Sequence, residues 1–127
     1  MNLWIFVIKD SDDEFQNRIK NKQWPIYHKT RNRKKISIGD HVLFYKAGIN
    51  GQRFLGNAII KTNLKKYTMF DYFLELDEIS IWKNSVLIKP LIPDLDFIIN
   101  KNNWGVYFQG GVMSISSKDF NTITIQN

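Results

Sequence analysis

Residues 100–111 read NKNNWGVYFQGG. Asn, Lys and Gly belong to exposed turns, yet the same stretch carries Trp104, Tyr107 and Phe108. Two arrangements account for the mixture: the rings drop into a core from an irregular segment, or they wall a site that the glycines let a flat ligand approach. Alternation along an extended segment turns Tyr107 one way and Trp104 with Phe108 the other, so the stretch is expected to supply both core and wall. Trp104 reads as rim, Tyr107 as partly core, and Gly110-Gly111 as backbone thinned for a ligand or a bulge.

Composition limits what that site can belong to. A chain of 127 residues with 43% hydrophobic and 14% aromatic content can build one core, and residues 1–127 are expected to form a single domain. The first segment, MNLWIFVIKDSDDE, is too short and too quickly acidic for a signal peptide or a membrane span. A soluble, cytoplasmic protein with no membrane partner is therefore expected. The absence of cysteine removes disulfides, thiolate catalysis and every zinc site that uses Cys. His28 and His41 are the only histidines and do not stand at a metal-ligand spacing, so no metal or other cofactor is expected.

A formal net charge of +6 favours polyanionic partners, because clustered cations release counterions from phosphates. The charge is concentrated in HKTRNRKK, at His28, Lys29, Arg31, Arg33, Lys34 and Lys35. That run reads either as a solvated loop or as a phosphate-binding strip for nucleic acid.

Around these features the elements follow a simple order. LWIFVI at 3–8 reads as a central strand buried on both faces. Ser11 and Glu14 form a capping-box pattern that starts a helix with Phe15 and Ile19 on its apolar face. Trp24-Pro25 ends the helix, and the basic segment after it is expected to be loop. DHVLFYKAG and QRFLGNAIIKT read as a hairpin, with Asn50-Gly51 at a tight turn needing positive φ and Gly56 at a close strand contact. DYFLELDEISIW and SVLIKPLI read as two further strands. PDLDFII at 93–99 reads as a short helix with Leu95, Ile98 and Ile99 inward. VMSI and the cap Ser116 close the chain with a strand and a helix. The pattern is α+β: a small, strongly bent antiparallel sheet or barrel with short helices at its ends.

Large aromatics, namely Trp4, Trp24, Tyr45, Trp82, Trp104, Tyr107 and Phe108, recur at the ends of these elements. Each alone reads as core, whereas several converging beside a basic strip are suited to stacking nucleobases. The order of features resembles the EVE domain, a member of the PUA-like group that is also similar to YTH domains. The resemblance runs through LWIFVI, Trp24, IGDHVLFYKAG, FLGNAII and PLIPDLDFIINKNNWGVYFQGGVMSIS. It implies a PUA-like, strongly curved antiparallel sheet or pseudo-barrel flanked by short helices. It also implies a non-enzymatic module that takes a nucleobase of DNA or RNA, single-stranded or flipped out and possibly methylated, into an aromatic pocket. By position the pocket would hold Trp4, Lys9, Trp24, Tyr45, Lys46, Trp104, Gly105, Tyr107 and Phe108. Lys29, Arg31, Arg33, Lys34 and Lys35 would meet phosphates. The chain departs from the common family pattern at Lys9-Asp10-Ser11-Asp12 and at Trp24-Pro25-Ile26-Tyr27.

Two other readings stand beside it. A small-molecule-binding or interaction module would use the same pocket and leave the basic loop solvated. A metal-dependent nuclease would need Glu75 and Asp77, which alternation places on one strand face.

Overall fold

A computed structural model of the chain describes residues 1–9, 12–67 and 71–127. Seven strands build it: β1 (Leu3–Lys9), β2 (Gln23–Tyr27), β3 (His41–Ala47), β4 (Arg53–Ile60), β5 (Lys65–Lys66), β6 (Asp71–Leu87) and β7 (Val112–Ile115). Two α-helices, α1 (Asp12–Asn21) and α2 (Ser117–Thr124), join them, with 3-10 helices at Arg33–Lys35, Lys89–Asp94 and Lys101–Phe108. The strands follow the order β2-β6-β4-β3-β1-β7, with β5 also on β6, in a strongly curled half-barrel. The sheet is mixed: β1 runs parallel to β3, from Leu3 beside His41 to Lys9 beside Ala47, and every other pair is antiparallel. A parallel pair needs a long crossover, and α1, β2 and the basic loop supply it.

Because β1 has neighbours on both edges and apolar residues throughout, its alternation feeds two cores. Trp4, Phe6 and Ile8 join Phe15, Trp24, Phe44 and Leu76 in one cluster. Ile5 and Val7 join Leu43, Tyr45, Phe54, Phe108 and Ile123 in the other. The first is knit by rings: Trp24 stacks on Phe44 at 5.1 Å and meets Phe6 at 5.7 Å. Such pairs contribute about 0.5–1.5 kcal/mol each beyond area burial.

Several sequence expectations shift in three dimensions. Helix α1 ends at Asn21, and Trp24-Pro25 lies in edge strand β2, a position where a missing proline N–H costs no ladder bond, before the basic segment continues as turns and a short 3-10 helix. The two strands expected over 71–92 are one strand of 17 residues, with register shifts against β4 and Glu78 at φ 46°. In the β3–β4 connection positive φ falls on Gly48 and Gln52, not on Asn50-Gly51. Gly51 is required instead by close approach, since a Cβ there would lie 2.6 Å from the Ala47 carbonyl oxygen. At Gly56 a Cβ would overlap the Ser80 carbonyl oxygen, the close contact read from the sequence. The helix expected at 93–99 gives way to the 3-10 helix Lys89–Asp94; Leu95 and Ile98 are buried, whereas Ile99 is exposed. Ser11 lies outside the described residues, so the capping box is not described. Ser116 does cap α2, its hydroxyl accepting from the Asp119 amide at 3.1 Å.

One buried carboxylate joins the parts. Asp40, just before β3, accepts from Trp4 Nε1 at 2.8 Å, from the Ser37 amide at 2.9 Å and from the Asn2 amide at 3.0 Å. Replacing Asp40 by Ala leaves three donors without their acceptor, one of them the buried indole N–H of Trp4. The expected loss is about 3 kcal/mol in urea unfolding; a loss below about 1 kcal/mol would contradict the role given to this residue.

Candidate nucleic-acid interface

The aromatic residues of the opening stretch lie on the 3-10 turns that follow a kink at Asn103, not on a strand. Helical spacing, rather than alternation, sorts the side chains. Phe108 is buried and stacks on Tyr45 of β3, with ring centres 4.0 Å apart and planes 16° from parallel. Trp104 is half-buried and meets Phe108 edge-on at 6.3 Å. Tyr107 turns elsewhere, its hydroxyl accepting from the Ile99 and Asn100 amides at 3.1 and 3.0 Å. The stretch thus supplies a floor, a wall and a brace.

Tyr45, Phe108 and Trp104 line a cavity of about 290 Å³ together with Lys9, Gly105 and Gln109. A second cavity of about 310 Å³ adjoins it, sharing Lys9 and Gln109, and reaches Trp24, Arg18 and Gly110-Gly111. Beyond the glycines, an open groove of about 830 Å³ runs past Tyr27 and Tyr107 to Lys29, Arg31 and Asn32. A shallower depression continues over Arg33, Lys34 and Lys35. Two lobes with aromatic side chains in their linings therefore open toward the basic loop. Apart from the adjoining residues of the chain, no heavy atom lies within 4 Å of a Cβ built at Gly105, Gly110 or Gly111, so these glycines leave the passage unobstructed rather than relieve an internal clash.

The nine residues assigned to the pocket by position separate. Lys9, Tyr45, Trp104, Gly105 and Phe108 surround the first lobe, and Lys9 with Trp24 lines the second. Trp4 is not a wall: it is 1% exposed, and its indole N–H is held by Asp40. Lys46 is outside both lobes and pairs with Asp12 at 2.8 Å, which pulls its ammonium toward the start of α1. Tyr107 faces the groove. Lys29, Arg31, Arg33, Lys34 and Lys35 form one cationic loop, in which Arg33 is fastened to the Thr30 carbonyl at 3.2 Å.

Two lining residues carried no sequence signal as site residues. Gln109 is a polar residue between aromatic and glycine neighbours. Arg18 reads as a dipole-matching cation at a helix end, yet its guanidinium lies 4.5 Å from the centre of the Trp24 ring and is ion-paired with Glu14. The i,i+4 spacing of Glu14 and Arg18 is the pattern that signals this pair. With Trp24 only 2% exposed and Arg18 over its ring, the second lobe is shielded where the first is open.

Glu75 and Asp77 have local partners. Glu75 bonds Lys65 at 2.9 Å, and that bond, aided by the charges of Lys65 and Lys61, lowers its pKa against a smaller opposing effect of burial. Asp77 accepts from the Glu78 amide at 3.0 Å. Among the described residues no group of three His, Asp or Glu side chains is placed to hold a metal ion, and no helix is long and apolar enough to cross a membrane.

The curled mixed sheet, with an aromatic cavity beside a basic loop, defines a PUA-like fold. The EVE domain family model matches residues 2–126, and the chain belongs to the EVE domain family. No curated protein matches it. Among solved structures it is similar to the N-terminal domain of Staphylothermus marinus McrB, at TM-score 0.72 and 11% identity over 98% of this chain and 94% of that one. Protein Atu2648 of Agrobacterium tumefaciens superposes at TM-score 0.70 with 13% identity, covering 99% and 92% of the two chains. The YTH domain of Zygosaccharomyces rouxii MRB1, solved in complex with N6-methyladenosine RNA, does so at TM-score 0.63 with 18% identity, covering 98% and 86%.

Burial raises the Tyr45 phenol well above its ordinary pKa of 10.0. The folded chain keeps this proton while the unfolded chain releases it, so stability present below about pH 10 is lost as pH rises above it. The expected contribution is a fall approaching about 1.4 kcal/mol per pH unit above pH 10. Urea unfolding of the wild type and Tyr45→Phe, compared from pH 9 to pH 11.5, should show a shallower decline in the variant. Identical slopes would contradict a buried, neutral phenol at the cavity floor.

Proposed function

We propose that this EVE domain is a non-enzymatic nucleic-acid reader that holds one base in the lobe walled by Trp104 while Lys29–Lys35 meet the flanking phosphates. The observation that carries the reading is the continuity of cavity and groove, from the Tyr45–Phe108 floor past Gln109 and Gly110-Gly111 to the basic loop. Drawing a base out of its stack costs a few kcal/mol, and each aromatic–base contact returns about 1–3 kcal/mol. Cationic loop contacts add salt-dependent affinity without sequence preference. One added methyl carbon contributes about 0.8 kcal/mol of apolar burial, which is less than a tenfold preference unless a hydrogen bond assists. The YTH domain solved with N6-methyladenosine RNA shares this fold and supports an N6-methylated purine as the first probe.

Arg18 favours a second reading of where the base sits. Its guanidinium lies 4.5 Å from the centre of the Trp24 ring, and a ligand that displaced it would occupy the second lobe. Three variants separate the readings, each titrated with methylated and unmodified single strands at two salt concentrations. Replacing Arg31, Arg33, Lys34 and Lys35 by Gln should weaken binding and reduce the log–log salt slope by roughly 2–3. Trp104→Ala should weaken binding about tenfold with the salt slope unchanged. Arg18→Ala should have little effect if the base lies against Trp104, and should strengthen binding if the base displaces the guanidinium. Affinity indifferent to salt and to all three variants would leave the small-molecule module as the better account.

A further inference from the structure

A third cavity, of about 350 Å³, touches the Trp24 lobe at Glu14, Arg18, Pro25 and Tyr27 and then runs between α1 and the start of β6. Four aromatic side chains line it: Tyr27, Tyr67, Tyr72 and Phe73. Tyr27 is 57% exposed and Tyr67 is 76% exposed. Single exposed rings need no explanation, but four around one concavity form a surface on which a planar group can lie. Asn17, Asn21 and Gln23 complete the lining. Their side-chain amides each carry donor and acceptor, the combination that matches the edge of a nucleobase.

The charges at the site narrow the ligand class. An aromatic concavity with carboxylates can also cage a cation such as a methylated lysine. Here Glu14 is ion-paired with Arg18, and Asp71 lies 3.8 Å from His28 Nδ1, so each carboxylate already has a neighbour within the chain. Lys65 lies over Phe73 at 5.9 Å but is paired with Glu75 at 2.9 Å, whereas the exposed Lys66 beside it has no ion pair among the described residues and leaves one positive charge near the rim. Positive charge there repels a cationic ligand and attracts a phosphate.

We propose that this cavity is a second nucleobase site, which stacks a further base of the same strand while Lys66 faces its phosphate. The proposal rests on the nucleic-acid reading above and extends it to a footprint of more than one base. Tyr27 and Arg18 line both this cavity and the Trp24 lobe, so the strand is split at their shared rim.

The test is NMR mapping on the full chain with three probes: adenosine 5′-monophosphate, a single-stranded pentanucleotide and a trimethyllysine peptide. The pentanucleotide is expected to shift the side-chain amides of Asn17 and Asn21 and the ring of Tyr67 together with Trp104 and Gly110. Tyr67→Ala, a truncation at an exposed position, should weaken pentanucleotide binding about fivefold to a hundredfold. The same variant should bind a pentanucleotide with abasic flanking positions as the wild type does. Shifts confined to Trp104 and Gly110, with Tyr67→Ala neutral, would overturn the second site and leave the first reading standing. Shifts at Tyr67 with the peptide and not with the nucleotides would overturn it in favour of a cation cage. No shift at either place with any probe would overturn both.

Discussion

The Asp40 carboxylate is the constraint on which the arrangement depends. Its three acceptor bonds hold the start of β1, the indole of Trp4 and the end of the basic crossover against the residue just before β3. Its own backbone extends the junction, since the Ile60 amide donates to the Asp40 carbonyl at 2.9 Å and the Gly39 amide donates to the Ile60 carbonyl at 2.8 Å. Gly39, at φ 89°, supplies the backbone conformation that brings the chain into this corner. A buried carboxylate is costly unless fully hydrogen-bonded, and here the donors come from separate segments. The parallel β1–β3 pair, which sends the crossover and its cationic loop to the site's side of the sheet, is anchored at this point.

The second fixed point is the Tyr45–Phe108 stack. A segment of 3-10 turns rich in Asn and Gly has little packing of its own, and Phe108 fastens it to the sheet through a ring contact at 4.0 Å. Lys101 adds a tie to the Leu95 carbonyl at 2.5 Å, and Tyr107 braces the two amides before it. Rigidity comes from these contacts, while Trp104 and the three glycines are left at the surface of the passage. The same residues that complete one core therefore shape the cavity floor.

Much of this was legible in the residues. LWIFVI, the strand within DHVLFYKAG, the Gly56 contact and the Ser116 cap each follow from local chemistry, and each occupies the position that chemistry requires. The parallel pairing did not follow, because alternation and turn signals say nothing about which distant strand becomes a neighbour. Strand β2 was hidden by Pro25, which argues against a strand everywhere except at an edge. At the site, the mixture of ring and turn residues in 100–111 pointed to a segment that is both core and wall. The separation of Tyr107 from Trp104 and Phe108 matches the grouping read from alternation, but 3-10 turns produce it, a conformation that a stretch without caps or periodicity does not announce. Trp4 could not be told from a wall residue by sequence, since its burial depends on an acceptor 36 positions away.

The central claim is that one strand of nucleic acid passes from the cationic loop to the aromatic floor across Gly110-Gly111. A crystal structure of the chain with a short single strand carrying N6-methyladenosine tests it most directly. The account requires a base against Trp104 above the Tyr45–Phe108 pair, or against Trp24 with Arg18 displaced, and phosphates within hydrogen-bonding distance of Lys29–Lys35. A strand bound away from both lobes, or a base in a lobe with its phosphates directed away from the cationic loop, would contradict it.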